Sequence, residues 1–312
     1  MSARTWAASA LAALAAAALA VGFSTASFTA SSQNPQTVSA VADFVAPSAS
    51  ASTIAKSQGG VAGYIKAKGT YYVYADITES GNPASGTASV KANVSALTLG
   101  QTAVVLSAGS YTVGGASYDY RSALLTASSG LSAGSKSYSL ALADAAGNTR
   151  SQSFTAIVDN GPFAGSGFET ANASGGTSGK AESGDTVSFT FNEAPDPASI
   201  AAGWDGGGSK AVTVSIADKT GNDTLSVSGA TIGTVALQGD YTTSGRTTTF
   251  SASTISVSGA TATIVLGTDS AGNARTETGK NKPVWTPSAS NYDAAGNACA
   301  TTAVTAANAR QF

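Results

Sequence analysis

At 312 residues the chain has room for two domains once a leader is removed, and its 42% apolar content allows each a core. Only 11% of residues are charged and the formal net charge is −2, so no basic surface draws it to nucleic acid or to an anionic membrane. It has no histidine and one cysteine, which excludes Ser-His-Asp and Cys-His catalysis, the usual histidine-containing zinc sites and an intrachain disulfide framework.

Arg4 precedes an apolar run from Trp6 to Val21, interrupted only by Ser9. A short positive region, an alanine-rich stretch and small residues after it make an export signal over residues 1–26. Ser24-Thr25-Ala26 offers a cleavage site, and Ala18-Leu19-Ala20 offers a second. The run is shorter than the roughly 20 residues a spanning helix needs, so membrane attachment is expected only through an uncleaved leader. Residues 27–60 read as an extended tether with one short strand, because Phe28, Val38, Val41, Phe44 and Val45 are too sparse for a core.

Period-two alternation dominates after residue 60. Tyr71, Val73, Ala75 and Ile77 share one face of a strand, with Tyr72, Tyr74 and Asp76 opposite. Ala88 to Val94, Tyr138 to Leu142 and Phe154 to Val158 repeat the pattern. Each segment has one core face and one wet face, as in antiparallel sheets with a solvated side. Turn clusters such as Glu79-Ser80-Gly81-Asn82-Pro83 and Gly114-Gly115 separate them.

A Gly/Ser-rich break from 161 to 179 reads as a linker that little apolar structure crosses. Alternation restarts at Val187, Phe189 and Phe191 and continues through Leu266. Asp196, Pro197 and Gly203 predict one helical turn with a cap, a first-position proline and a glycine stop. Trp204 then plugs the edge of the second core; a carbohydrate-stacking role is the other reading. The fold class is therefore all-β, with tandem immunoglobulin-like sandwiches at 61–160 and 180–312 behind a signal helix. Cys299 reads as a small buried residue, with an intermolecular bridge as the alternative.

The pentad Asp-x-Ala-Gly-Asn occurs at Asp144 to Asn148, Asp269 to Asn273 and Asp293 to Asn297. Asp caps the turn, Gly accepts positive φ and Asn tolerates left-handed geometry, which is hairpin chemistry at the end of a late strand. These pentads, with Gly69–Val94 and the Ser183-Gly184-Asp185 to Phe191-Asn192-Glu193 stretch, resemble the bacterial immunoglobulin-like repeats of surface proteins and adhesins. That resemblance implies a sandwich fold and an extracellular setting. Phe23 to Pro35 is similar to leaders of actinobacterial and bacillar surface proteins cut by a dedicated type I signal peptidase, some of which build matrix fibres. Phe23-Ser24-Thr25 stands where that class has Phe-Ser-Asp.

Calcium is the ligand the residues best suit, since it takes clustered carboxylate and carbonyl oxygens. Asp76, Glu79, Asp144 and Asp159 lie at strand ends that a sandwich can bring to one pole, and are the candidate ligands; the alternative is ordinary turn residues. Glu182 with Glu193, or Asp185 with Asp196, are the carboxylate pairs a glycosidase reading would need. Otherwise no cofactor is expected. The chain reads as a non-enzymatic, secreted or cell-surface structural or adhesive protein. Its partners are cell-wall or matrix components or other copies of itself. A carbohydrate-binding module is the alternative, with Tyr72 and Tyr74 as platform. A flat aromatic row on one sheet favours the second reading, and aromatics buried between sheets favour the first.

Overall fold

The computed structural model describes residues 43–312 apart from 59, 280, 310 and 311, so the leader and the first part of the tether lie outside the described residues. Two sheets account for nearly all the regular structure there. The first has nine strands: β1 (Ser48–Lys56), β2 (Tyr64–Ile65), β3 (Thr70–Thr78), β4 (Thr87–Asn93), β5 (Val104–Val113), β6 (Ala116–Ser122), β7 (Leu125–Thr126), β8 (Gly134–Asp144) and β9 (Thr149–Val158). Their order is β1-β3-β6-β5-β4-β8-β9-β2, with β7 beside β3. The pairing is antiparallel except between β2 and β9.

The sheet folds over on itself at β5. The start of β5 pairs with β4 through Lys91↔Val105, while the rest pairs with β6 from Leu106↔Ser122 to Val113↔Ala116. Residues from both ends of the sheet therefore meet in one core: Ile54, Tyr71 and Val73 from one side, Val90, Leu140 and Val158 from the other. The alternation read from β3 holds, since Tyr71, Val73 and Ala75 are buried in this core while Tyr72 and Tyr74 join a separate cluster.

The second sheet begins with β10 (Phe163–Ala171) and β11 (Thr186–Phe191), followed by the helical turn α1 (Pro197–Ile200). Then come β12 (Lys210–Ala217), β13 (Thr224–Ser228), β14 (Thr234–Ala236), β15 (Thr247–Ser258) and β16 (Thr261–Val265). The short strands β17 (Thr268–Asp269), β18 (Val284–Thr286), β19 (Cys299–Ala300) and β20 (Val304–Thr305) complete it. The order is β19-β10-β11-β16-β15-β12-β13-β14-β18-β20, with β17 on β15. Val187, Phe189 and Phe191 all enter its core, as their spacing requires. Trp285 meets both rings edge-on at 5.2 Å and donates its indole N–H to Ile232 O at 2.8 Å. Trp204 is buried in the same core and donates to Gly207 O. α1 has the expected cap, with Asp196 accepting from Ala198 N at 3.0 Å.

Two boundaries differ from the sequence reading. The 161–179 segment is not a free linker: β10 runs through it, pairs with β11, and buries Phe163 and Phe168. Its glycines Gly165 and Gly167 dilute the alternation that would have marked a strand. The 27–60 tether likewise contains the nine-residue β1, whose inward positions include the small Ala49, so hydrophobicity alone does not reveal it. The two cores are thus separated by only Asp159 to Pro162.

What crosses this boundary is polar. Lys56, at the end of β1, pairs with the Asp196 carboxylate that caps α1, and its ammonium also donates to Ala294 O at 3.1 Å. The two side chains are 7% and 1% exposed. Gly60 permits the approach: it has φ +88°, and a Cβ there would lie 1.9 Å from an Asp196 oxygen. Lys66 donates to Gly296 O, and Asn297 donates its amide to Asp159 O.

Candidate functional site

The first and third Asp-x-Ala-Gly-Asn pentads fold alike. Asp144 accepts from Asn148 N at 2.8 Å and from the Asn148 amide at 2.7 Å. Asp293 accepts from Asn297 N at 2.8 Å and from the Asn297 amide at 2.7 Å. In each case the same amide also reaches an aspartate carbonyl ahead of the strand that opens that half: Asn148 reaches Asp43 O, and Asn297 reaches Asp159 O, both at 3.1 Å. The first pentad is the β8–β9 hairpin, as its chemistry implied.

Each of these turns completes a group of three carboxylates. Asp43, Glu79 and Asp144 form one, and Asp159, Glu193 and Asp293 the other, with one oxygen from each residue within 4.8 Å of the others. The positions correspond between the groups: an aspartate before the opening strand, a glutamate at the end of a central strand, and the pentad aspartate. The middle pentad does not join such a group. Asp269 caps Ala271 and Gly272, and the Asn273 amide goes to Thr247 O.

In the first group Asp43 and Asp144 are buried. Backbone N–H groups of Val45 and Ser85, with the Ser85 hydroxyl, hold the Asp43 carboxyl below its ordinary value. Glu79 Oε1 accepts from Ser80 N, but its Oε2 is buried with no hydrogen-bond partner. In the second group, burial and then the charges of Asp159 and Asp293 push the Glu193 carboxyl up to about 7. Three carboxylates this close repel one another unless a proton or a cation intervenes. An all-oxygen donor set with an orphaned oxygen fits a hard cation such as Ca2+.

The structure therefore sorts the four sequence candidates. Glu79 and Asp144 come together, with Asp43 added from the tether. Asp159 belongs to the other group, with Glu193 and Asp293. Asp76 is in neither; it lies beside Asp119 on the outer face of the first sheet, where burial and the Asp76 charge raise the Asp119 carboxyl. The partners Asp43, Glu193 and Asp293 come from the folded sheets: Asp43 and Glu79 stand at different distances before Asp144 than Asp159 and Glu193 do before Asp293, so the pentad repeat alone does not align the two groups.

The carboxylates of the glycosidase reading have other partners. Glu182 pairs with Lys180 and accepts from Thr177 N, Asp185 accepts from Ala173 N and Glu182 N, and Asp196 pairs with Lys56. A cavity of about 760 Å³ opens between the two halves, lined by Val61, Val113, Pro197, Trp204 and Asp205 among others. Cys299 is buried and free, and burial raises its thiol above its ordinary value.

Tyr72 and Tyr74 lie on the outer face of the first sheet with Tyr111 and Tyr118. They do not form a flat row: the Tyr72 and Tyr74 rings meet at 68°, and Tyr74 is covered by its neighbours. No helix among the described residues is long and apolar enough to cross a membrane. No protein-family model matches the chain, and no curated protein does either.

Proposed function

We propose that this protein is a non-enzymatic structural or adhesive component of the cell surface or of a secreted matrix. It is built as two immunoglobulin-like sandwiches braced at their acidic corners by Ca2+. The observation that carries the reading is the carboxylate constellation built twice, once before each half, from residues far apart in sequence. Asp43, Glu79 and Asp144 would hold one ion, and Asp159, Glu193 and Asp293 the other. A cation there neutralises three converging carboxylates and ties the entry of each half to its hairpin. The second group and the Lys56–Asp196 pair both lie where the halves meet, so the same chemistry stiffens the joint. A braced spacer suits a protein that must carry load outside the cell, where Ca2+ is abundant enough for weak sites. The leader and the neutral, hydroxyl-rich composition support the extracellular setting.

Fractionation of the source cells tests the assignment. The chain is expected in the medium or on the wall, without residues 1–26, in monomeric or polymeric form. Recovery only from the cell interior with the leader intact overturns it. A second reading, carbohydrate binding, is favoured by one specific feature of the outer face of the first sheet.

A further inference from the structure

That feature is Arg121. Its guanidinium carbon lies 4.4 Å from the centroid of the Tyr72 ring and 4.3 Å from that of Tyr111, so the cation is held between two aromatic faces. The Tyr74 ring meets both of these tyrosines edge-on, with centroids 6.1 Å from Tyr72 and 6.3 Å from Tyr111. Arg121 forms no ion pair with any described carboxylate. The ring of Tyr111 bends back over its own strand, and a Cβ on Gly109 would lie 2.6 Å from its hydroxyl oxygen, so only glycine at 109 permits this pose. Tyr72, Tyr111 and Arg121 are half-buried, which leaves part of each open to solvent.

We propose that this face binds a carboxylate-bearing polysaccharide, with Arg121 taking a uronate carboxylate and the Tyr72 and Tyr111 rings holding the guanidinium in place. A stacked guanidinium is fixed in plane, and its outward edge presents N–H donors in the fork that matches a carboxylate. One two-residue step away, about 7 Å along β6, Asp119 stands beside Asp76; these accept hydroxyl groups and repel a second acid, so the site takes one carboxylate among hydroxyls. Val113 belongs to this aromatic cluster and also lines the cavity that reaches Trp204. The choice of a glycan as ligand rests on the extracellular reading; the binding itself does not.

Affinity electrophoresis of the purified mature chain tests this, in gels carrying polygalacturonate, its methyl ester or a neutral β-glucan. The full sequence carries a net charge of −2, and losing Arg4 with residues 1–26 makes the mature chain −3, so it has no general attraction to a polyanion and retardation reports a local site. Polygalacturonate is expected to retard the native chain. Methyl esterification, or Arg121→Ala in a protein of unchanged melting temperature, is expected to weaken binding about tenfold or more. The ester comparison uses the native chain and stands even if the variant fails to fold. No retardation by polygalacturonate, equal binding to the neutral glucan, or undiminished binding by a folded Arg121→Ala overturns the proposal. So does self-association that depends on Arg121 without glycan binding, which assigns the face to protein carboxylates. None of these results alters where the protein is found by fractionation, so the two readings fail separately.

Discussion

Replacing Lys56 by Met removes an ammonium from a site that is 7% exposed and leaves Asp196, at 1% exposure, with an unpaired carboxylate oxygen. Methionine keeps most of the aliphatic stem, so the loss is electrostatic rather than a cavity. Breaking a buried pair by removing one partner costs about 3–5 kcal/mol, against roughly 5–15 kcal/mol for a whole domain. Asp196 also caps α1 through Ala198 N, so Asp196→Ala should cost about 1 kcal/mol beyond the lost pair. Asp196→Asn keeps a cap acceptor, and the double variant Lys56→Met/Asp196→Asn buries no net charge. It should be more stable than the sum of the single losses implies, by at least about 1 kcal/mol. Urea unfolding of all four proteins, followed by tryptophan fluorescence, measures the cycle. A Lys56→Met loss below about 1 kcal/mol together with no coupling would mean that the pair is solvated and the halves are not locked there.

In the second core Phe189→Ala should cost about 3–5 kcal/mol, while Ser188→Ala, on the opposite face, should change stability by less than about 0.5 kcal/mol; chemical denaturation of both decides the strand's orientation. Glu193 titrates near 7 in the folded chain against an ordinary value of 4.5, so the folded state binds the extra proton between those values. Stability in chelator should therefore fall as pH rises from about 4.5 to about 7, and excess Ca2+ should remove the fall; a thermal-melt series across pH checks both. Cys299, buried at 3% exposure with a raised thiol pKa, should react with a thiol reagent only after unfolding. Rapid labelling of the native chain contradicts its burial.

The strands with large alternating residues were legible in the sequence, because Tyr71-Val73-Ala75 and Val187-Phe189-Phe191 leave one register with an apolar face. β1 and β10 were not, because Ala49, Gly165 and Gly167 occupy strand positions without adding hydrophobic signal. The carboxylate groups were half legible. The pentad marked Asp144 and Asp293 as turn residues, and Glu79 and Asp159 were chosen as oxygen donors at strand ends. Which pole each joined depended on the fold of the sheets, and Asp76 was misplaced because it points from β3 to the outer face beside Asp119. The Lys56–Asp196 pair spans 140 positions, and no local pattern announces it. The tyrosines were visible as a strand face, but the arginine that organises them comes from β6.

Calorimetric titration of the chelator-treated chain with Ca2+ tests the central claim most directly. Two sites per chain are expected, one for each carboxylate group, with dissociation constants of roughly 10⁻⁴–10⁻³ M and a rise in melting temperature. Asp144→Asn should remove one site and Asp293→Asn the other, while Asp269→Asn, in the pentad that joins no carboxylate group, should leave both. No heat at millimolar Ca2+ and an unchanged melting temperature would contradict the account.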